Sequence, residues 1–397
     1  MSVILGRQPI LDLDSKTYGY ELRYKGSMES VLALLSAVEK PGAGKARFDQ
    51  LTTGKKGIVH VPGPELDNEN LLRFPGENMI VGIDGSQTPD RHLFTACEKL
   101  CSEGFTLALD THAYNASWDP ILDMASFVRV NSGRTSRENA ARMAEAYLAK
   151  NLKVVAGNIH SPADFIDYRE MGYQLFQGYF FSRPGLSNGN GFQSTRLAKL
   201  RLLEKFSQPD IDFSEAEEII KGDPALTLKL MQYVNSAALG MRFEIRSIRQ
   251  ALAIIGLANL RVWVSILAMS NISEDKPNEL MRQIITRGRF CELLAKPLAM
   301  EKHRPDLFLT GMFSLLDGAL DQPMEKVIED LPLTMEIRNT LLGKETEFSN
   351  ALRIAAAFEQ GDWEVIDRFS SARQIEAQEL SDLQQEAILW AENFAQA

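Results

Sequence analysis

The sequence predicts a β/α barrel followed by a separate all-α domain. In the first 185 residues or so, short apolar runs typical of strands alternate with longer amphipathic runs typical of helices. From residue 196 to the end, the apolar residues recur at helical spacing, and Gly and Pro serve mainly as breaks. A stretch rich in Gly, Ser, Asn and Pro, residues 182–195, lies between the two parts and is typical of a domain boundary.

Eight strand candidates justify the barrel. Strands that alternate with helices at this spacing indicate parallel pairing through crossover helices. Eight of them in fewer than 190 residues predict a small barrel, whose chemistry is expected at the carboxyl ends of the strands. The candidates are residues 3–5, 18–24, 57–61, 79–83, 106–109, 127–130, 153–156 and 174–176.

Helix boundaries are marked clearly at the start of the helical part. Ser214 and Glu217 have the spacing of a capping box, in which each side chain meets a backbone N–H at the helix start. Gly222 is expected to end that helix. Asp223 can cap the next helix, and Pro224 fits its first turn because that position has no N–H to lose. The pattern predicts a compact helical unit.

The same segment resembles the signature of a known domain. Asp223-Pro224, Asn235-Ser236 and Gly256 match, in order and spacing, the motif of HDOD domains. The resemblance implies an all-helical output module of bacterial signalling proteins, related to HD-type phosphohydrolases but without their metal site. On local chemistry alone, the polar members of the motif cap helices and fill turns, as these residue types commonly do.

Motifs at both ends of the first part resemble EAL domains. They include Gln8 near the start, Glu21 in the run Gly-Tyr-Glu-Leu, and Gln177 near the end. The resemblance implies a bacterial barrel that hydrolyses cyclic di-GMP with divalent metal ions. The whole chain then resembles the EAL–HDOD two-domain signalling family. The expected parts are an EAL-type barrel over 1–185, a linker over 186–195 and a helical HDOD domain over 196–397.

The residues at the implied active site differ from the EAL pattern. Metal-assisted opening of a phosphodiester needs hard cations, which are held mainly by carboxylates. The resemblance implies that six positions carry replacements: His60 for Asn, Gly82 for Glu, Thr111 for Asp, Arg129 for Lys, Asn131 for Asp, and Gly157 for Glu. The positions that remain as a remnant of the site are Gln8, Glu21, Asp110, Arg129 and Gln177.

These replacements predict a barrel without catalytic activity. Glu21 and Asp110 are too few carboxylates for a two-metal site, and the guanidinium of Arg129 is a poor proton acceptor. We therefore expect a degenerate, non-enzymatic domain without metal or cofactor, in a signalling regulator or scaffold that acts through protein contacts. The alternative is a cyclic di-GMP phosphodiesterase or a cyclic di-GMP receptor. Binding of cyclic di-GMP is expected to be weak.

Three histidines leave a different metal site open. His60, His112 and His160 stand at or near predicted strand ends, where imidazoles and carboxylates together could form a rebuilt site. The other interpretation, that they are surface or hydrogen-bonded histidines, is the one we favour.

Composition limits the partners. The chain has 53 acidic and 43 basic residues and a net charge of −10, which argues against a broad nucleic-acid surface. The N-terminus lacks the features of a signal peptide, and the longest apolar run, 262–269, is shorter than a membrane span. We expect a cytoplasmic protein that contacts signalling proteins and neither nucleic acid nor membrane. Homo-oligomerisation is left open.

Overall fold

The structure, a computed structural model, describes residues 3–36, 47–71, 78–111, 113–185, 206, 211–235, 245–272, 276–329, 331 and 333–395. The chain divides into two compact units. The barrel unit is Met1–Leu186 with Ala356–Gln385, and the helical unit is Ser187–Ala355 with Glu386–Ala397. The predicted linker, 186–195, lies outside the described residues.

The barrel unit contains a closed eight-stranded barrel with its strands in sequence order, which confirms the predicted fold class. Apolar side chains fill the end of the barrel away from the strand carboxyl ends, among them Ile10, Ile58, Ile80 and Val155. The strands are β1 Ile4–Asp12, β2 Thr17–Lys25, β3 Lys56–His60, β4 Met79–Asp84, β5 Thr106–Thr111, β6 Phe127–Asn131, β7 Lys153–Ile159 and β8 Leu175–Gly178.

Strand β1 runs antiparallel to both of its neighbours, β2 and β8, whereas the other neighbouring strands are parallel. The prediction of parallel strands throughout is therefore wrong for β1. Only residues 13–16 separate β1 from β2, too few for a crossover, so a hairpin joins them. Asp12 Oδ1 closes that turn by accepting from the backbone N of Asp14 at 3.0 Å and of Lys16 at 2.8 Å.

Helices connect most of the barrel strands. Asp90, Ser136 and Ser161 cap three of these helices by accepting hydrogen bonds from backbone N–H groups in the first turn. The helices are α1 Met28–Ser36, α2 Arg47–Thr52, α3 Arg91–Ser102, α4 Asp119–Leu122, α5 Arg137–Ala149 and α6 Pro162–Glu170. The parallel connections bring the carboxyl ends of seven strands to one rim of the barrel, where a site is expected.

The rest of the described chain is helical. Its helices are α7 Phe213–Lys221, α8 Pro224–Val234, α9 Ile248–Ile272, α10 Asn278–Leu293, α11 Arg304–Phe313, α12 Leu316–Leu320, α13 Met324–Val327, α14 Met335–Leu341, α15 Ser349–Gln360, α16 Trp363–Arg373 and α17 Ala377–Ala395. The start of α7 differs from the prediction, because Asp212 rather than Ser214 is the cap and accepts from Glu215 N at 2.8 Å. Gly222 ends α7, as expected.

Gly256 divides α9 into two arms. Its φ of 76° lies in the left-handed region that favours glycine. The helix axis bends by 100° between the arms Ile248–Leu257 and Asn259–Met269. Trp263 in the second arm is 2% exposed and belongs to an apolar core with Leu230. Among the described helices none is by itself long and apolar enough to cross a membrane, although these two arms taken together pass that test on length and composition.

The segment 356–385 packs with the barrel rather than with the other helices. Val3 N donates to Gln378 Oε1 at 2.6 Å, and Leu5 N donates to Ser381 Oγ at 3.0 Å. The predicted boundary placed this segment in the helical domain. Helical periodicity shows that a helix has an apolar face but does not show which surface covers that face.

Candidate functional site

The barrel brings all five predicted remnant residues together at one rim. Glu21 on β2 pairs with Gln8 on β1, and Asp110 on β5 pairs with Arg129 on β6. Gln177 on β8 reaches both Gln8 and Glu21 through its amide nitrogen, at 2.9 Å from Gln8 Oε1. Residues from five strands therefore form one polar cluster.

Arg129 is the centre of this cluster. Its Nε donates to Asp110 Oδ1 at 2.8 Å, and its Nη2 donates to the other oxygen of the same carboxylate. Its Nη1 donates to Glu21 Oε1 and to Gln177 Oε1, each at 2.7 Å. Burial would lower the pKa of Arg129, but attraction by Glu21 and Asp110 outweighs burial and raises it. The guanidinium is therefore a permanent cation that holds two carboxylates.

Glu21 is the most buried acid of the cluster, with 2% of its surface exposed. Besides Arg129 and Gln177, it accepts from Arg23 Nε at 2.8 Å, and His60 Nε2 lies 2.9 Å from its Oε1. Burial would raise the pKa of Glu21, but Arg129 first and Arg23 second hold it well below its usual range. Glu21 is therefore ionised.

His60 and Arg129 occupy space that two glycines leave open. A Cβ on Gly82 would lie 2.6 Å from His60 Cε1, and a Cβ on Gly157 would lie 3.3 Å from Arg129 Cγ and Cδ. Burial would lower the pKa of His60, whereas Asp110 and the hydrogen bond to Glu21 outweigh burial and raise it. The residues at positions 60 and 82 therefore depend on each other, as do those at 129 and 157: in each pair, the side chain of one fills the space that the glycine leaves.

A cavity of about 160 Å³ opens above the cluster. Three guanidinium groups line it, those of Arg23, Arg129 and Arg134, together with the carboxylates of Asp84 and Asp110. Asn131, Asn158 and Gln177 add amides to the lining, and Ser86 and Thr111 add hydroxyl groups. The cavity thus combines fixed positive charge with carboxylates and amides.

Some of these lining residues were not predicted from the sequence. Arg23 lies two positions after Glu21 on the same strand, and Asp84 lies two positions after Gly82, so strand periodicity could have found both. Arg134 lies in a turn after β6. Asn158 has a φ of 66° where β7 pairs irregularly with β8, a feature without a sequence signal.

The arrangement of the cluster does not fit the divalent metal ions that the EAL resemblance implies. Arg129 N–H groups bond the oxygens of Glu21 and Asp110 that a metal ion would need. Within the described residues, no three His, Cys, Asp or Glu side chains are placed to hold a metal ion. Of the three predicted histidines, His160 lies 2.8 Å from Asn158 Oδ1, and His112 lies outside the described residues.

The HDOD motif residues stabilise helix ends in the helical unit. Asp223 Oδ1 accepts from Leu226 N at 3.0 Å, and α8 begins at Pro224. The Asn235 side chain bonds both backbone groups of Ile245, accepting from its N at 2.8 Å and donating to its O at 2.9 Å. Ser236 lies outside the described residues. These contacts agree with capping and turn roles for the polar members of the motif.

Comparisons with known proteins match both parts of the chain. The HDOD domain family matches residues 197–317. The cyclic di-GMP phosphodiesterase CdgJ of Vibrio cholerae is 28% identical over 399 residues, which cover 98% of this chain and 92% of that protein. The uncharacterized protein YuxH of Bacillus subtilis is 25% identical over the full length of both chains. Among solved structures, a standalone EAL protein from V. cholerae with cyclic di-GMP bound covers 46% of this chain and 92% of its own, at 22% identity and a TM-score of 0.34.

The relative named a phosphodiesterase contradicts the prediction of a non-catalytic, non-enzymatic scaffold, and that prediction is wrong. The replacements compensate for one another in volume, because His60 fills the space beside Gly82 and Arg129 fills the space beside Gly157. A comparison of single positions with the EAL pattern does not distinguish a site with compensating replacements from a site that has lost its function.

Proposed function

We propose, from the combination of an EAL-type barrel with an HDOD domain, that this protein is a cyclic di-GMP phosphodiesterase whose site is the arginine-lined cavity. The observation that carries the proposal is that Arg23, Arg129 and Arg134 line one cavity at the carboxyl ends of the strands. Guanidinium groups match the geometry of phosphate oxygens. The full-length similarity to a protein named a cyclic di-GMP phosphodiesterase supports this substrate.

The size of the cavity indicates which part of the substrate it takes. At about 160 Å³ it is smaller than the roughly 300–1,000 Å³ of pockets that enclose a whole small ligand. It suits one phosphate group, and the nucleosides would then lie over the rim.

The lining residues supply chemistry for hydrolysis. A water oxygen bonds to phosphorus, the bond from phosphorus to one ribose oxygen breaks, and a linear dinucleotide forms. Asp84 lines the cavity and is the carboxylate that can accept the proton of the water, because both oxygens of Asp110 are bonded by Arg129. The leaving oxygen is protonated from solvent. Arg129 cannot exchange a proton and instead stabilises the charge that develops on phosphate.

One observation favours a second function, a receptor that binds cyclic di-GMP without hydrolysing it. Arg129 stands where the EAL resemblance implies a lysine, and both of its carboxylate partners are already engaged. Such a site can recognise a phosphate through charge alone. The two functions share the cavity and differ in turnover.

The full-length protein tests both functions. Cyclic di-GMP is incubated with it, with and without Mg²⁺, and products are separated by chromatography while binding is measured by calorimetry. Linear dinucleotide that disappears in Arg129→Ala but persists in Arg142→Ala, an exposed arginine on α5, supports the phosphodiesterase. Binding without product supports the receptor. Neither binding nor product would overturn the assignment of the cavity.

For the helical unit we propose contacts with other signalling proteins, and for the whole protein a cytoplasmic location. Phe213 and Leu228 are exposed apolar side chains of this unit, with 48% and 59% of their surfaces accessible. Apolar side chains that leave water when a partner binds contribute to association through the hydrophobic effect. Loss of captured partners in Leu228→Ser, with unchanged melting temperature, would support such contacts.

A further inference from the structure

Arg23 connects the buried carboxylate of the site to the C-terminal segment of the barrel unit. Its Nε donates to Glu21 Oε2 at 2.8 Å. Its Nη1 donates to the backbone oxygen of Gln360 at 2.7 Å. The same side chain lines the cavity. One guanidinium therefore contacts the site on one side and the end of helix α15 on the other.

The end of α15 is suited to hold a cation. The last carbonyls of a helix have no partner within the helix and carry the negative end of its dipole. Gln360 is the last residue of α15, and Gly361 follows it with a φ of 69°. A Cβ on Gly361 would lie 3.0 Å from Arg23 Cδ, so the glycine also makes room for the arginine.

The residue that follows β8 reaches the same helix end. The hydroxyl of Tyr179 donates to the backbone oxygen of Glu359, one residue before Gln360. Tyr179 follows β8 and lies two residues after Gln177, whose amide donates to Glu21. The last two carbonyls of α15 therefore hold residues next to both Glu21 and Gln177.

We propose that the carboxyl end of α15 is a positioning element of the barrel site. It holds Arg23 and Tyr179, and through them it orients Glu21 and Gln177 beneath Arg129. Without this support Arg23 leaves Glu21, and Arg129 alone has to neutralise a buried carboxylate as well as Asp110. Less positive charge then faces the cavity. The inference rests on the proposed function only for the identity of the ligand.

The decisive variant is Gly361→Ala in the full chain, compared with Gly343→Ala. Both glycines have a left-handed φ, 69° and 76°, so alanine strains the backbone at both. Only at Gly361 does the added methyl group meet Arg23; at Gly343 no atom lies within 4 Å. The pair separates backbone strain from displacement of the arginine.

Two readouts follow Arg23 and the ligand separately. The nuclear magnetic resonance signal of the Arg23 Nε–H is assigned by its absence from Arg23→Lys. In the protein without nucleotide, this signal reports the hydrogen bond from Arg23 to Glu21. Calorimetry gives the affinity for cyclic di-GMP. We expect Gly361→Ala to shift or broaden that signal and to weaken binding about tenfold, since a hydrogen bond to a charged group contributes on that order. Gly343→Ala should leave both unchanged.

Two further variants test the same positioning role if Gly361→Ala folds poorly. Tyr179→Phe removes one hydroxyl, and Arg23→Lys keeps the charge but cannot bond Glu21 and Gln360 together with one planar fork. Both should weaken binding. If the Arg23 signal were the same in Gly361→Ala and Gly343→Ala, the positioning role would be refuted. A moved signal in a protein that never binds cyclic di-GMP would overturn the proposed function and leave the positioning role intact.

Discussion

The imidazole of His60 occupies the space that a side chain at Gly82 would need. The two residues pair across β3 and β4, and a Cβ on Gly82 would lie 2.6 Å from the ring. Placed there, the ring bonds Glu21 and approaches Arg129, to which its Nε2 is 3.3 Å away. His60 and Gly82 therefore pack as a pair, and a substitution at either position changes the packing at the other.

Gly82→Ala should destabilise the barrel through His60. The added methyl group overpacks the ring, which costs about 1–3 kcal/mol of the free energy of unfolding. The double variant His60→Ala with Gly82→Ala should recover part of that loss, because the clash is gone. Urea denaturation of the two single variants and the double variant measures the coupling. Strictly additive changes would show that the contact carries no energy.

Arg129→Ala should be much more harmful than the loss of a surface arginine. It leaves Glu21 buried with less compensating charge, and breaking a buried pair from one side costs about 3–5 kcal/mol. Arg142→Ala breaks an exposed pair with Glu138 and should change stability by less than about 1 kcal/mol. Denaturation midpoints of the two variants check this. Similar midpoints would mean that Arg129 is not the main partner of the carboxylates.

Arg129 should also compete with divalent cations for the same oxygens. In Arg129→Ala, the donor atoms of Glu21, Asp110 and His60 become accessible to an ion. We expect Mn²⁺ to raise the melting temperature of this variant more than that of the unaltered protein, because ligands that bind the folded state stabilise it. An equal shift in both proteins would show that the guanidinium does not exclude the ion.

The raised pKa of His60 predicts a loss of stability at alkaline pH. A group with a higher pKa in the folded state adds stability that is complete below its unfolded pKa, about 6.5, and is lost as pH rises through the folded pKa. The free energy of unfolding should therefore fall from about pH 6.5 upward, by less in His60→Gln. His92→Gln, at an exposed histidine, is the control. Identical pH profiles for His60→Gln and the unaltered protein would contradict the assignment.

The lowered pKa of Glu21 predicts the opposite dependence at acid pH. Its contribution is present above the unfolded pKa of about 4.3 and is lost as pH falls through the lower folded pKa. Glu21→Gln should thus lose less stability than the unaltered protein between about pH 4 and the acid limit of folding. Acid titrations followed by circular dichroism measure the difference. Parallel acid curves would mean that Glu21 is not ionised in the folded state.

The sequence predicted the barrel because the alternation of strands and helices is a local pattern repeated eight times. The resemblance to EAL domains also implied that Glu21, Asp110, Arg129 and Gln177 belong to one site, and the structure brings them together at one rim. The strand prediction failed for β1, where the predicted strand stopped at residue 5 and the actual strand continues to Asp12. Recognising the longer strand would have left too few residues for a crossover.

The functional prediction failed for a different physical reason. Volume exchange between His60 and Gly82 depends on pairing between strands, which a single sequence does not contain. The bond from Arg23 to Gln360 joins residues 337 positions apart, and no local pattern indicates such a contact. Local chemistry therefore predicts which residues are present at a site, whereas only the structure shows how they compensate for one another.

The bonds from Val3 and Leu5 to Gln378 and Ser381 have a consequence for the order of biosynthesis. Strand β1 leaves the ribosome before the rest of the barrel, but its partners in α17 come 200 and 203 residues after Gly178, the end of the last strand. At about 5–20 residues per second, the barrel waits roughly 10–40 s for them. During that interval the start of β1 lacks these two partners, and an unpaired strand edge is prone to pair with another chain.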